Sequence, residues 1–299
     1  MKKIILILIF HSISISLAMS DELIKKEFVY TDTINKDYEK SIDIFSRTCS
    51  KNIPASCYML GKLYYKGDKN HERNTTKGMK YISLSCSYGL QSSCLEISSI
   101  YFKLNDQSNG IKYLKKACNL NNSKGCSLLG AILDSPIIGK HKLALRYLLK
   151  ACNLNNADSC ASLGSIYYTG KNVDRNYKKS FLYLSKACTL GDNTSCAALG
   201  SIYYLGEDTK KDYPKAIKYL SKACNLKNSV SCYIVGTIFY DKPPKNLNMD
   251  KAFIFFKKAC KLGFKQSCKA YNYLLKNRDS NITTESNATY NQKDTNSTR

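Results

Sequence analysis

The chain of 299 residues carries a formal net charge of +23, fourteen cysteines and three histidines. With only His71 and His141 beyond the N-terminal apolar run, a metal centre built on a histidine cluster is excluded, and nothing else in the composition calls for a cofactor. The charge points to anionic partners such as acidic glycans, cell-wall polymers, lipid head groups or acidic proteins, or else to lysines that merely solubilise helix faces.

Lys2-Lys3 precede an apolar run from Ile4 to Phe10 that continues with interruptions to Leu17, and Ala18-Met19-Ser20 follow. This is the order of a secretory signal peptide, so residues 1–20 are expected to be removed after Ser20, leaving 21–36 as a lead-in. The run is too short for a permanent span, and nothing downstream reaches transmembrane length, so no stable membrane insertion is expected after signal removal. Loss of Lys2 and Lys3 would take the charge from +23 to +21. The protein is expected to be periplasmic or secreted, which, with no recognised binding module, argues against nucleic acid as a partner.

The cysteines fall into seven pairs: Cys49/Cys57, Cys86/Cys94, Cys118/Cys126, Cys152/Cys160, Cys188/Cys196, Cys224/Cys232 and Cys260/Cys268. First members of successive pairs are 37, 32, 34, 36, 36 and 36 residues apart, a period of helix-pair arrays. An even count in an exported chain reads as disulfides, because zinc sites favour closer cysteines with further partners.

Upstream of each first cysteine an aromatic recurs at minus five (Tyr81, Tyr113, Tyr147, Tyr183, Tyr219, Phe255), an apolar residue at minus four and a small one at minus eight. These steps mark one face of an amphipathic helix, termed B. After each second cysteine, an apolar residue sits at plus three and an apolar or aromatic one at plus seven. Between them lies Gly61, Gly130, Gly164, Gly200 or Gly236, with Ser98 in the second repeat. A glycine inside a helix costs about 1 kcal/mol relative to alanine, so its recurrence predicts a close crossing of this second helix, A. Gly67, Gly170 and Gly206 read as stops of helix A. Each cysteine pair then spans the turn from the end of a helix B to the start of the next helix A, and a bond there staples the two antiparallel helices. The loop-entropy stabilisation is about 2.5 kcal/mol.

The stretch Ala161-Ser162-Leu163-Gly164-Ser165-Ile166-Tyr167-Tyr168-Thr169-Gly170, followed by Lys179-Ser180-Phe181-Leu182-Tyr183-Leu184-Ser185-Lys186-Ala187, resembles Sel1-like repeats. With a cysteine pair in every repeat and a signal peptide, the chain is similar to the secreted cysteine-rich Hcp family, often labelled β-lactamases. The resemblance covers about residues 37 to 276. It implies an all-α fold: a right-handed α-solenoid of Sel1-like, TPR-related helix pairs, each bridged by a C-x7-C disulfide, with a concave binding surface over 37–277. It also implies a modest ability to bind or hydrolyse penicillin-type compounds. The second repeat departs from the pattern in its short spacing, and the third carries Asp134-Ser135-Pro136 where Tyr-Tyr-x-Gly is expected.

The sequence contains neither the S-x-x-K nor the K-T-G of a serine β-lactamase, so a catalytic residue is not identified. Two functions remain: a groove that binds a peptide, a cell-wall fragment or a host or bacterial protein, and, by resemblance alone, a weak β-lactam-binding or hydrolysing enzyme. The expected groove lies on the face of helix A opposite its packed positions, at Ser162, Ser165, Ser201 and Thr237, edged by Tyr168, Tyr204 and Tyr240. Small hydroxyls flanked by tyrosines suit a peptide or sugar, though the same residues fit a solvated face with rings packed between repeats. The protein is expected to be a monomer.

From 278 onward the chain turns to Asn, Ser and Thr, a composition of disorder. Asn281, Asn287 and Asn296 there, and Asn74 between helices A and B, are N-x-S/T acceptors with an acid two residues before the asparagine. This resembles the extended sequon of bacterial oligosaccharyltransferases and marks these four asparagines as candidate glycosylation sites.

Overall fold

A computed structural model describes residues 38–68, 70–206, 208–241 and 248–276. The expected signal peptide, lead-in and tail, with Asn281, Asn287 and Asn296, lie outside the described residues. These form fourteen helices and no strand. The B helices are α1 (Tyr38–Cys49), α3 (Thr75–Ser87), α5 (Gln107–Asn119), α7 (His141–Asn153), α9 (Tyr177–Thr189), α11 (Tyr213–Asn225) and α13 (Met249–Lys261). The A helices are α2 (Pro54–Lys66), α4 (Gln91–Lys103), α6 (Ser123–Asp134), α8 (Ala157–Thr169), α10 (Asn193–Leu205), α12 (Ser229–Asp241) and α14 (265–276). The chain divides into two compact units, ending at Leu129 and beginning at Gly130, within α6. The all-α repeat architecture expected from the cysteine period is what the chain forms.

Each turn from a B helix into the next A helix is built alike. The bonds are Cys49–Cys57, Cys86–Cys94, Cys118–Cys126, Cys152–Cys160, Cys188–Cys196, Cys224–Cys232 and Cys260–Cys268, with Cα atoms 4.5 to 4.8 Å apart. Three residues after each first cysteine the backbone has positive φ: Asn52, Gly89, Asn121, Asn155, Gly191, Lys227 and Gly263. Glycine and asparagine tolerate that region; Lys227, at φ 68°, is the strained member. In four turns an Asn or Asp then caps the A helix, Asn122, Asn156, Asp192 and Asn228 accepting from the amides of Gly125, Ser159, Ser195 and Ser231.

On the A-helix side each staple ends in the first turn of the helix, at its start as expected from the sequence. Cys57, Cys126, Cys160 and Cys196 each lie in that first turn of their helices α2, α6, α8 and α10, and all four are fully buried. Cys57, Cys160 and Cys196 join their bonded partners in the hydrophobic cores around Leu60, Leu163 and Leu199. The physical reason is register: each lies three residues before the inward-facing plus-three position, and so on the same helix face. Their sulfurs lie 3.6, 3.5, 3.6 and 3.5 Å from the carbonyl oxygens of Cys49, Cys118, Cys152 and Cys188. A bonded sulfur carries no hydrogen, so these are packing contacts of the closed turn and not hydrogen bonds. The disulfides are thus core side chains as well as crosslinks.

Packing is closest between an A helix and the B helix that follows, rather than between the two helices a disulfide joins. A Cβ on Gly61 would lie 2.8 Å from the Ile82 amide nitrogen and 2.9 Å from the Gly78 carbonyl oxygen, and one on Gly164 2.6 Å from Leu184. In the second repeat Ser98 stands in the glycine's place, and its hydroxyl donates to the Gly110 carbonyl at 2.8 Å, so the added side chain finds a partner at the crossing. Ser180 makes the mirror contact, donating to the Gly164 carbonyl at 2.8 Å. Around these crossings Leu60, Leu163, Leu199, Val235, Ile82, Leu184, Leu220 and Phe256 are all under a tenth exposed, and Leu220, Val235 and Phe256 share one core cluster. Each such side chain contributes about 1.5–3 kcal/mol on burial.

The recurring aromatics at plus seven and minus five stack across the crossing: Tyr64 on Tyr81, Tyr101 on Tyr113, Tyr167 on Tyr183, Tyr203 on Tyr219 and Phe239 on Phe255. In four of these a lysine from the first turn of the B helix covers the plus-seven ring: Lys77, Lys179, Lys215 and Lys251. Gly170 and Gly206 end α8 and α10 in the left-handed region, as expected of stops. Where the third repeat lacks Tyr-Tyr-x-Gly, the Asp134 carboxylate is within 2.7 Å of His141 Nδ1 and ties the end of α6 to the start of α7.

Candidate functional site

On α12, residues at plus one, plus five and plus eight from Cys232 share a helical face because they are four and three apart. They are Tyr233, Thr237 and Tyr240, and Asp241 follows. These four, with Phe256 of α13 and Ala270, Tyr273 and Leu274 of α14, line a cavity of about 360 Å³, within the size range of small-ligand sites.

Its floor is fixed by burial. Phe256 is 3% exposed and Leu274 6%, and the Tyr233 and Tyr240 rings lean on Phe256 with centroids 5.6 and 6.4 Å away. Thr237 Oγ1 donates to the Tyr233 carbonyl at 3.1 Å, so its hydroxyl serves the helix. Tyr273, 58% exposed, stands at the mouth. The lining offers four aromatic rings and one carboxylate, with no basic group among the described lining residues.

The groove expected from sequence is brought together only at this end: Thr237 and Tyr240 share the cavity. Ser162 and Ser165 are exposed on α8, the Ser162 hydroxyl donating to the Asp158 carbonyl at 2.8 Å. Ser201 is half-buried on α10. Tyr168 and Tyr204 pack on Tyr177 and Tyr213, at the start of the following B helix, with centroids 5.5 and 6.1 Å apart. Sequence reasoning missed Tyr233, Phe256 and Tyr273. The signal was present: in α14 the plus-four glycine is replaced by Asn272 and the small plus-five residue by Tyr273, so the last A helix departs from its predecessors.

A second polar cluster lies in the first unit, between α2 and α4. Tyr58 Oη donates to Glu96, whose other carboxylate oxygen takes Lys62 Nζ. Burial, then the hydrogen bond and charge of Glu96, push the Tyr58 phenol well above its ordinary pKa. His71 sits between Asp68 and Glu39, 2.8 and 3.0 Å from its ring nitrogens, and stacks on Tyr38. Among the described residues no three His, Cys, Asp or Glu side chains are placed to hold a metal ion. No described cysteine is free, so none offers a thiol nucleophile. Asn74 is exposed, and its side-chain carbonyl caps α3 by accepting from the Lys77 amide at 2.9 Å.

Comparison with known proteins places this architecture. A protective antigen of uropathogenic Escherichia coli, displaying an SLR fold, superposes with a TM-score of 0.62 at 19% identity, over 80% of this chain and 52% of the antigen. A Sel1 repeat protein from Oxalobacter formigenes superposes with a TM-score of 0.58 at 19% identity, over 77% of this chain and 68% of the other. Helicobacter pylori cysteine rich protein B is 38% identical over 44% of this chain and 95% of its own, with a TM-score of 0.34. The chain therefore spans about half the length of the Escherichia coli antigen. No curated protein matches it in sequence. A tetratricopeptide repeat profile matches residues 91–124, the irregular stretch. The Sel1 repeat profile matches residues 54–89, 129–156, 157–192, 194–228 and 229–264, more than half of the length, and the chain belongs to the Sel1-repeat family.

Proposed function

We propose that this Sel1-repeat protein is an exported binding scaffold that holds a polypeptide partner on its A-helix face, anchored in the cavity between α12 and α14. Sel1 and tetratricopeptide repeats mediate protein–protein interactions. The observation that carries the finer reading is the cavity: a pre-formed, aromatic-walled hollow held between stapled helices costs no reorganisation on binding. Seven disulfides support an oxidising compartment, and the N-terminal charged and apolar order supplies a route to it. Glycans on Asn281, Asn287 and Asn296 would belong to the same exported state; native intact mass without sugar increments would sink that part.

The test is selection of displayed peptides on the oxidised full chain, with the Tyr273→Ser variant and reduced protein as counter-screens. Sequences that bind wild type at least tenfold tighter than either are expected. Peptides indifferent to both would remove the scaffold reading. β-Lactam turnover, followed across sizing-column fractions of the same material, is expected to be flat; activity that tracks the protein peak and vanishes on reduction would reinstate the enzyme.

A further inference from the structure

We propose that the α12/α14 cavity receives the ammonium head of a lysine side chain on the partner polypeptide, an inference that rests on the scaffold reading and names the chemistry of its anchor. Four aromatic rings, Tyr233, Tyr240, Phe256 and Tyr273, line the hollow together with the Asp241 carboxylate. The chain as a whole has 46 Lys and Arg against 23 Asp and Glu. Against that background, a cavity with an acid and no base among its described lining residues selects for a cation.

Ring faces carry the negative lobe of the aromatic quadrupole and attract a cation within about 6 Å of the centroid. An anion would meet the Asp241 carboxylate with the wrong sign. A purely apolar side chain would fill the space but leave the Asp241 carboxylate without a partner of opposite charge. Lysine meets both demands: its methylene stem suits Ala270 and Leu274, and its head suits Asp241. The protein already uses this pairing internally, with Lys179 5.1 Å from the Tyr167 centroid and Lys215 5.2 Å from that of Tyr203. Lys257 and Lys269 adjoin the lining residues Phe256 and Ala270 along the chain, inside the screening length of about 8 Å, so their field opposes a cation and the Asp241 carboxylate has to outweigh it.

The oxidised full chain would be titrated with Nα-acetyl-lysine methylamide, with the norleucine analogue, which keeps the stem and lacks the ammonium, and with n-pentylammonium, following tyrosine ring resonances. The lysine derivative is expected to bind at least tenfold tighter than the norleucine analogue. Asp241→Asn should abolish that advantage, and Tyr273→Ser should weaken binding several-fold. Both residues are exposed, and an unchanged thermal melt confirms folding. Equal binding of the lysine and norleucine derivatives overturns the cation assignment while leaving an apolar anchor for the scaffold. Tighter binding of pentylammonium than of the lysine derivative overturns the polypeptide source. No response to any probe overturns the cavity as an anchor, and peptide selection then judges the scaffold separately.

Discussion

The α2/α4 and α12/α14 regions begin from the same residue and end differently. The first A helix of each region presents a tyrosine just after its cysteine, Tyr58 after Cys57 in one and Tyr233 after Cys232 in the other. In the first region Lys62 stands four residues on and Glu96 projects from the next A helix, so the three close on one another. In the second the same positions hold Thr237 and Ala270, and the space stays open as a cavity. A hollow in a repeat array is therefore set by the side chains at two register positions, one on the same A helix and one on the next, on a backbone of the same kind.

The largest effect should come from the crossings that hold each region. Gly61→Ala drives a Cβ against the Ile82 amide and the Gly78 carbonyl, backbone that cannot step aside, and should cost about 3 kcal/mol. Gly236→Ala meets only the Phe256 ring and should cost about half as much in a denaturant titration, with Phe256 displaced toward the cavity. Equal losses would show that the two crossings are not held differently. Removing a staple comes next: Cys260→Ala with Cys268→Ala, or Cys86→Ala with Cys94→Ala, should each cost about 2.5 kcal/mol. The first pair alone should also weaken ligand binding, since it frees α14 from α13.

Smaller changes address the side chains themselves. Glu96→Gln should cost about 1 kcal/mol by weakening its contacts to Lys62 and Tyr58, which are only partly exposed. It should also flatten the alkaline limb of stability. The Tyr58 phenol is raised in the folded state, so its contribution is fully present below about pH 10, the ordinary tyrosine value, and is lost as pH rises above it through the folded value. Melts from pH 8 to 11 in wild type, Glu96→Gln and Tyr58→Phe check this; parallel curves would refute it. The smallest change is expected from Lys227→Gly in the turn into α12, a gain of about 0.5 kcal/mol from relief of positive φ.

The repeat architecture was legible because its signals are redundant. Cysteine spacing, the crossing glycine and the paired aromatics all report one helix register, and Ser98, which breaks one of them, hydrogen-bonds the Gly110 carbonyl across the crossing. The site was legible only in part. Thr237 and Tyr240 could be placed on the correct face of α12 from periodicity alone. Tyr273 and Phe256 reach the same cavity from other helices, and that convergence depends on packing that periodicity within one helix does not encode. Tyr168 and Tyr204 show the reverse: on the expected helix face, they are taken up by the ring that opens the next B helix.

Each disulfide joins the B helix of a repeat to the A helix that follows it, so every repeat carries one whole bond. Along Cys152, Cys188, Cys224 and Cys260 the period is constant at 36 residues. Excision of residues 189–224 would bring Cys188 to the place of Cys224, eight positions before Cys232, with no thiol left over. Duplication in the same register would add one complete bond. The gene can therefore lengthen or shorten its array by recombination between repeats without producing an odd cysteine, so that disulfide pairing itself would impose no penalty on such changes of length.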